Sequence, residues 1–339
     1  MIEKIPFIIA EMSGNHNQSL ERALTIVDAA ADAGVDAVKI QTYTADTMTI
    51  DIDRGEFSIS DKDSLWKGET LYHLYEKAHT PWEWHTAIFE RCKERGIMGF
   101  STPFDDTSVD FLEDLGVPCY KIASFENVDL PLIRKVARTG KPIIASTGMT
   151  SVAELSDLVQ TVRENGCTDL TLLKCTSSYP ASPEGTNLRT IPHMRELFGC
   201  AVGLSDHTLG IGAAVASVAL GATVIEKHFT LSRVEGGVDA AFSLEPAEMA
   251  QLVRECRTAA LALGAVSYER AEQEQKSLQF RRSLYVVEDM KAGDVFTEKN
   301  LRRIRPGMGL SPKYYDIILG KKANCNITRG TAVQWDLIE

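Results

Sequence analysis

The strongest constraint on the fold is an alternation that repeats eight times in about the first 265 residues of this 339-residue chain. Short β-branched or apolar runs, each ending in polar residues, alternate with amphipathic or Ala-rich stretches of helical spacing. Eight such strand–helix units predict an α/β protein of the (β/α)₈ TIM barrel type. An open, doubly wound sheet stays as the alternative, because the alternation alone does not require the sheet to close.

Composition and periodicity set the expected element boundaries. The predicted strands are Phe7–Glu11, Ala37–Thr42, Gly99–Phe104, Cys119–Ser124, Pro142–Thr147, Leu170–Thr176, Ala201–His207 and Val224–Thr230. Helical spacing is clear over Leu20–Ala33, Pro81–Arg95, Leu130–Thr139, Val152–Asn165 and Gly210–Leu220. A last helix is expected from Pro246 to Gly264. Two long connections, Tyr43–Thr80 and Ser177–Pro192, have the length of functional loops.

The character of the sequence changes after Gly264. We assign residues 1–265 to the barrel, 266–282 to a charged, Gln-rich linker and 283–339 to a separate module. Frequent turn-forming Gly, Pro and Asn residues predict short strands and turns in this module. So short a segment buries a thin core, and we expect it to pack on a partner surface.

Charge and cysteine content exclude several functions. The chain has 36 Lys and Arg against 47 Asp and Glu, a net charge of −11, without a basic run. We therefore expect neither nucleic-acid nor membrane binding, and an anionic substrate would need a local cationic pocket. The N-terminus has no leader-like pattern, and the seven cysteines show no C-x-x-C spacing. Both observations predict a cytoplasmic protein.

Two histidines lie 21 residues apart, at the ends of predicted strands seven and eight. The active site of a (β/α)₈ barrel lies at the carboxyl ends of its strands, and strand alternation would point His207 and His228 into the mouth. Neighbouring imidazoles can bind a divalent cation and leave positions open for substrate oxygens. The alternative is a pair of rim histidines that are hydrogen-bonded to carboxylates.

Two lysines, Lys39 and Lys121, stand inside apolar strands, where a charge needs a partner. One interpretation pairs them with Glu11 and Glu126. The other assigns them to a substrate phosphate and carboxylate, which nearby hydroxyl side chains favour. These hydroxyls belong to Thr102, Ser124, Ser146 and Ser205. A Schiff-base lysine is a third possibility, which the histidine pair makes less attractive.

The two glutamates admit two roles. Paired carboxylates near a cation can perform acid–base chemistry. Alternatively, Glu11 and Glu126 each orient a lysine.

Eight strand-terminal and loop segments together resemble the sialic acid synthase family, whose members condense phosphoenolpyruvate with an acylamino aldose. They are Ala10–Asn17, Val38–Thr42, Phe100–Phe104, Tyr120–Ser124, Ala145–Met149, Gly203–Thr208, Glu226–Thr230 and Arg305–Gly309. The resemblance covers essentially the whole chain, and residues 283–339 resemble an antifreeze-like (SAF) domain. Segments Trp66–Tyr75 and Gly237–Pro246 resemble the pseudaminic acid synthase branch.

The resemblance implies a role for each matching residue. His207 and His228 match the ligands of a divalent metal, Mn²⁺ first and Mg²⁺ or Co²⁺ as alternatives. The residues that match the phosphoenolpyruvate pocket are Lys39, Thr102, Lys121, Ser124, Ser146 and Ser205. Those that match catalytic groups are Glu11, Glu126, Lys39 and Lys121, and those that match the sugar site are Gln41, Phe104, Tyr179, Asp239 and Arg305. Arg305 would reach into the other subunit, which implies a domain-swapped homodimer.

The implied reaction joins phosphoenolpyruvate to 2,4-diacetamido-2,4,6-trideoxy-L-altrose, with water attack at C2, C–O cleavage and phosphate release. N-acetylneuraminate or legionaminate synthesis is the alternative within the family. Three departures from the neuraminate pattern, Ser177, Val238 and Ala240, lie near the expected sugar pocket and leave the metal and phosphate residues unchanged. Outside the family, a metal-dependent pyruvate aldolase and a non-catalytic sugar-binding barrel stay open.

Overall fold

A computed structural model describes residues 5–60 and 66–339. The chain divides into two compact units, Met1–Gly264 and Ala265–Glu339. Within the described ranges, no helix combines the length and the apolar character that a bilayer crossing requires.

The first unit is a barrel of parallel strands, eight of them in the part of the chain that the structure describes. Strands β1 to β8 are Phe7–Glu11, Ala37–Thr42, Met98–Pro103, Tyr120–Ile122, Ile143–Ser146, Leu170–Cys175, Ala201–Asp206 and Val224–His228. Strand β1 pairs with β2 on one side and with β8 on the other, where Glu11 faces His228. This pairing closes the sheet, so the predicted (β/α)₈ barrel is confirmed and the open sheet is excluded.

Helices connect the strands and cover the outside of the barrel. Helices α1 to α10 are Leu20–Asp32, Ala45–Met48, Leu71–Ala78, His85–Glu94, Asp106–Asp114, Leu130–Ala137, Val152–Glu164, Thr190–Phe198, Gly212–Ala219 and Pro246–Leu263. Local capping sets several starts: Ser19 accepts the amide of Arg22 before α1, and Ser151 forms a capping box with Glu154 before α7. The predicted spacing over residues 81–95 begins as a 3₁₀ turn and continues as α4.

The long connection 43–80 is more ordered than its loop-like composition indicates. It contains α2 and α3, and the side chains of Thr44 and Thr70 cap their first turns. Residues 61–65 of this connection lie outside the described residues.

Strand alternation divides the barrel interior into an apolar layer and a polar layer. The apolar layer consists of Ile9, Ala37, Phe100, Cys119, Ile144, Leu173 and Val224. The polar layer consists of the residues two positions further along each of these seven strands: Glu11, Lys39, Thr102, Lys121, Ser146, Cys175 and Glu226. Because side chains repeat on one face every second residue, the polar layer lies directly above the apolar one, toward the carboxyl ends of the strands.

The second unit has its own small core. Antiparallel strands β9 (Ser283–Val286) and β10 (Leu301–Ile304) carry part of it, and short helices α11 (Glu272–Gln275) and α12 (Tyr315–Ile318) flank them in the chain. The buried side chains are Leu284, Val286, Met290, Phe296, Leu301, Ile318, Ala323, Ile327 and Val333. Gly309 permits a close approach, since a Cβ there would lie 2.4 Å from the Leu284 carbonyl oxygen.

Candidate active site

The polar layer opens into a cavity of about 220 Å³ at the carboxyl ends of the strands. Its lining includes most of the sequence-predicted site residues. These are Glu11, Lys39, Gln41, Phe104, Lys121, Ser124, Glu126, Ser146, Tyr179, Ser205, His207, His228 and Asp239. Thr102 lies beside this lining as a partner of Lys39, and Arg305 lies in the second unit.

Two buried lysines and two buried glutamates form the charged centre of the cavity. Lys39 forms an ion pair with Glu11, and its Nζ lies 3.9 Å from Glu226 Oε2. Lys121 Nζ lies 3.6 Å from Glu226 Oε1, to which Ser205 also donates a hydrogen bond at 3.0 Å. Glu226 was not among the predicted site residues, although its place two residues before His228 is a signal that could have identified it.

Hydroxyl groups surround the lysines. Lys39 Nζ donates to Thr102 Oγ1 at 3.2 Å, and Lys121 Nζ donates to Ser146 Oγ at 2.6 Å. Ammonium and hydroxyl donors in one place suit the oxygens of a phosphate or carboxylate.

A glycine shapes the wall beside these donors. The amide of Gly148 donates to Ser124 Oγ at 3.1 Å. A Cβ at Gly148 would lie 2.1 Å from Ser177 Oγ and 2.7 Å from Ser124 Oγ. Only glycine therefore allows the loop after β5 to come this close to Ser124, which lines the cavity.

His207 and His228 face each other, with ring centroids 5.3 Å apart. His207 Nδ1 lies 2.9 Å from the Thr176 carbonyl oxygen, so Nδ1 carries a proton and Nε2 is the nitrogen that can bind a cation when it is deprotonated. His228 Nδ1 is buried without a hydrogen-bond partner among the described residues and lies 3.6 Å from Asp239 Oδ2. Burial lowers the pKa of His228 well below its usual value, and the nearby His207 is the second cause of this shift, so the His228 ring is neutral.

This pair fits a divalent cation. Both rings line the same cavity, and His228 Nδ1 has no hydrogen-bond partner in the described ranges. Residues 5–60 and 66–339 contain no group of three or more His, Cys, Asp or Glu side chains arranged to hold a metal ion. A cation bound by these two imidazoles would leave coordination positions for water and substrate oxygens.

Two carboxyl groups in the cavity have pKa values near neutrality. Burial raises the pKa of Glu11 to about 7, against the opposing effect of Lys39. Burial also raises the pKa of Glu126 to about 7, against the opposing effect of Lys121. Glu126 Oε2 is buried and lacks a hydrogen-bond partner in the described structure. Each carboxyl can therefore accept or release a proton near pH 7.

The predicted sugar-site residues of the barrel, Gln41, Phe104, Tyr179 and Asp239, also line the cavity. Gln41 Nε2 donates to Glu11 Oε1 at 3.2 Å, Asp239 accepts a hydrogen bond from Ser13, and the Tyr179 ring is 4.4 Å from the His207 ring. Sequence reasoning did not place several other lining residues in the site. They are Ser13, Tyr43, Met48, Trp66, Leu74, Tyr75, Ala78, Ala123, Phe125 and Cys175, whereas Val238, which also lines the cavity, was expected near the sugar pocket. Most of them are apolar, and we call the wall that they form with Val238, apart from Cys175 of the polar layer, the upper wall of the cavity.

Comparisons with known proteins agree on the family. The family model described as "NeuB family" matches residues 26–268, and the SAF domain model matches residues 281–339. A pseudaminic acid synthase of Campylobacter jejuni is 46% identical over 332 residues, which cover 98% of this chain and 96% of that protein. An N,N'-diacetyllegionaminic acid synthase of the same species is 37% identical over 327 residues, 95% of this chain and 97% of that protein.

A solved structure agrees as well. The N-acetylneuraminic acid synthetase of Leptospira borgpetersenii, in complex with citrate, matches with a TM-score of 0.71 and 33% identity. The match covers 81% of this chain and 91% of that chain.

Proposed function

This chain belongs to the NeuB family, and we propose that it is a pseudaminic acid synthase, which condenses phosphoenolpyruvate with 2,4-diacetamido-2,4,6-trideoxy-L-altrose. One observation carries the proposal: a single cavity brings together two buried lysines, two carboxyls that titrate near neutrality and two facing histidines. These are the groups that an anionic enol ester and a polarised aldehyde require.

Two observations support the choice of sugar. Identity to the pseudaminic acid synthase is 46%, against 37% to the legionaminic acid synthase. The upper wall of the cavity presents Tyr43, Leu74 and Val238. An apolar wall suits the methyl group of a 6-deoxy sugar better than the 6-hydroxyl of N-acetylmannosamine, because a buried hydroxyl would need a hydrogen-bond partner.

Phosphoenolpyruvate would bind over Lys39 and Lys121. Their ammonium groups and the hydroxyls of Ser124, Ser146 and Ser205 provide charge-assisted and neutral donors to its carboxylate and phosphate. This position lies beside the two histidines, so C3 of the enol ester can be held against the aldehyde carbon. Such positioning replaces a bimolecular encounter with a reaction inside one complex.

His207 and His228 would hold the divalent cation, for which we propose Mn²⁺ first, with Mg²⁺ and Co²⁺ as alternatives. When bound, the cation supplies Lewis-acid polarisation of the aldehyde oxygen.

Glu126 is the proposed base for water. Bond formation between C3 and the aldehyde carbon leaves cationic character at C2 of the former phosphoenolpyruvate, and water adds there. The unpartnered Glu126 Oε2 can accept the proton of this water, and a pKa of about 7 suits that task. Glu11, through Lys39 and Gln41, would orient groups around C2. Collapse of the tetrahedral intermediate breaks the C–O bond and releases phosphate.

We also propose a homodimer in which the second unit of one copy covers the barrel mouth of the other. Residues 265–339 contain 13 Lys and Arg and 10 Asp and Glu, a net charge of +3. Residues 1–264 contain the other 23 Lys and Arg and 37 Asp and Glu, a net charge of −14. Opposite charges favour association between copies. Arg305 is exposed in the second unit. We propose that it enters the barrel mouth of the other copy, where its guanidinium can donate hydrogen bonds to sugar or N-acyl oxygens.

The barrel rim supports this proposal. Large apolar side chains follow the carboxyl ends of β4, β5 and β7, and each is more than half exposed. They are Phe125, Val128, Met149, Val152 and Leu209. Exposed apolar side chains that follow the same ends of several strands are typical of an interaction surface.

We propose a cytoplasmic location. The seven cysteines, all of which lie in the described ranges, are free thiols, as a reducing compartment would keep them.

The test measures phosphate release when phosphoenolpyruvate is offered with the proposed altrose derivative or with N-acetylmannosamine. We expect release with the first sugar. Phosphoenolpyruvate that carries ¹⁸O in the bridging position should deliver the label to phosphate, because the C–O bond breaks. Preference for N-acetylmannosamine would contradict the pseudaminate assignment. Condensation of the sugar with pyruvate in place of phosphoenolpyruvate, without phosphate release, would favour an aldolase, and no product with either donor and either sugar would favour a binding barrel.

A further inference from the structure

An ion pair is fully buried outside the barrel cavity, between β7 and β8. Lys227 Nζ lies 2.7 Å from Asp206 Oδ2, and both side chains have 0% exposure. Lys227 also donates to the Thr208 carbonyl oxygen, while the Thr208 amide donates to Asp206 Oδ1 at 2.9 Å. By strand alternation, these side chains point away from the cavity that Ser205 and Glu226 line.

Stability alone does not explain a pair of this kind. Burial removes both charges from water, and well-packed apolar residues of similar volume often serve stability equally well. The Asp206 and Lys227 pair is therefore expected to have another role, such as fixing the register of the structure around it.

The position of the pair in the chain indicates that role. Asp206 directly precedes His207, Lys227 directly precedes His228, and the two residues are register partners across β7 and β8. The bond to the Thr208 carbonyl extends the restraint to the turn that follows His207. One contact thus holds the backbone on both sides of His207 to the backbone before His228.

We propose that Asp206 and Lys227 are positioning residues, which hold the two imidazoles at the separation that a shared divalent cation requires. The inference rests on the proposed metal site. Neither Asp206 nor Lys227 lines the substrate cavity, and the ion pair would act through the strand ends that carry the histidines. Groups that orient metal ligands from behind typically change metal affinity 10- to 100-fold when they are removed.

The experiment compares the Kd for Mn²⁺ of the full-length wild type with that of three variants. The electron paramagnetic resonance signal of free Mn²⁺ measures the binding. The variants are Asp206→Asn, Lys227→Met and the double variant Asp206→Leu/Lys227→Met, whose apolar pair keeps the core packed even if a single variant unfolds. We expect the Kd of the double variant to rise about 10-fold or more, while its melting temperature, which the loss of the two Thr208 hydrogen bonds lowers, stays at or above that of the Leu158→Ala control described below. Saturating Mn²⁺ should then restore most of its phosphate release.

The control is Leu158→Ala, a buried position on α7. It should lower the melting temperature and leave the Kd for Mn²⁺ unchanged. If the double variant binds Mn²⁺ as tightly as the wild type, the positioning role is wrong and the proposed metal site stands. If the wild type binds no divalent cation, the metal site fails and this inference fails with it.

Discussion

Replacement of Lys121 by methionine measures how much substrate binding depends on one buried ammonium group. Lys121 Nζ lies 3.6 Å from Glu226 Oε1 and 2.6 Å from Ser146 Oγ. Two unit charges at this distance interact by about 4–5 kcal/mol at an effective dielectric constant of about 20. That value sets the scale for a substrate anion held equally close. Because about 1.4 kcal/mol corresponds to a factor of ten, kcat/KM for phosphoenolpyruvate should fall about 10³-fold.

The assay is steady-state phosphate release, with the melting temperature measured in parallel. Methionine keeps most of the lysine side-chain volume, and Glu226 retains Lys39 as a partner at 3.9 Å, so we expect the variant to stay folded. Lys135→Met is the matched control, since Lys135 pairs with Asp110 on the surface, where an ion pair is worth at most about 1 kcal/mol. A folded Lys121 variant that keeps kcat/KM within about fivefold would refute the anion-binding role. The lysine would then be a structural partner of Glu226.

Three further predictions concern the same cavity. Gly148→Ala would place a Cβ 2.1 Å from Ser177 Oγ, so KM for phosphoenolpyruvate should rise about tenfold, as overpacking by about 1–3 kcal/mol implies. The control Gly212→Ala should have no effect, because the described structure leaves room for a Cβ there. An unchanged KM in Gly148→Ala would place Gly148 away from the substrate. Burial raises the pKa of Glu126 to about 7, so below pH 7 this carboxyl is protonated and cannot accept a proton, and kcat/KM should fall about tenfold per pH unit. This acidic fall of kcat/KM should vanish in Glu126→Gln and persist in Glu11→Gln. The reverse pattern would assign the base to Glu11. Chelation of divalent cations should abolish phosphate release and added Mn²⁺ should restore it, whereas full activity in the chelator would contradict the metal site.

The fold could be predicted from the sequence because the barrel follows from local patterns. Strand boundaries such as Phe7–Glu11 and Ala37–Thr42 agree with the prediction residue for residue, since each strand is an apolar run between clear turn signals. Alternation within the strands also predicted that His207 and His228 would face the mouth, and the structure places both rings on the cavity. Period and strand order were sufficient for these inferences.

The rest of the site depends on distances that no local pattern contains. The sequence offered Glu126 as a partner for the lysines, whereas the structure shows Glu226 within 4 Å of both ammonium groups. Likewise, the upper wall combines Leu74 from α3 with Val238 from the segment after β8, which are far apart in the chain. Such contacts arise only when the loops fold over the closed barrel.

If Lys39 and Lys121 bind the substrate anion as proposed, the two interpretations of these lysines, structural ion pair and anion site, describe one arrangement in two states. A chain with a net charge of −11 cannot attract a multiply charged anion by its overall field. Without substrate, Glu11 and Glu226 neutralise Lys39 and Lys121, which makes the burial of both ammonium groups tolerable. Burial also sets the pKa of Glu11 at about 7, so this carboxyl loses its charge at little cost near neutral pH. A phosphate bound at Lys39 would raise that pKa further, so the Glu11 carboxyl would take up a proton and the Lys39 ammonium would pair with the substrate instead.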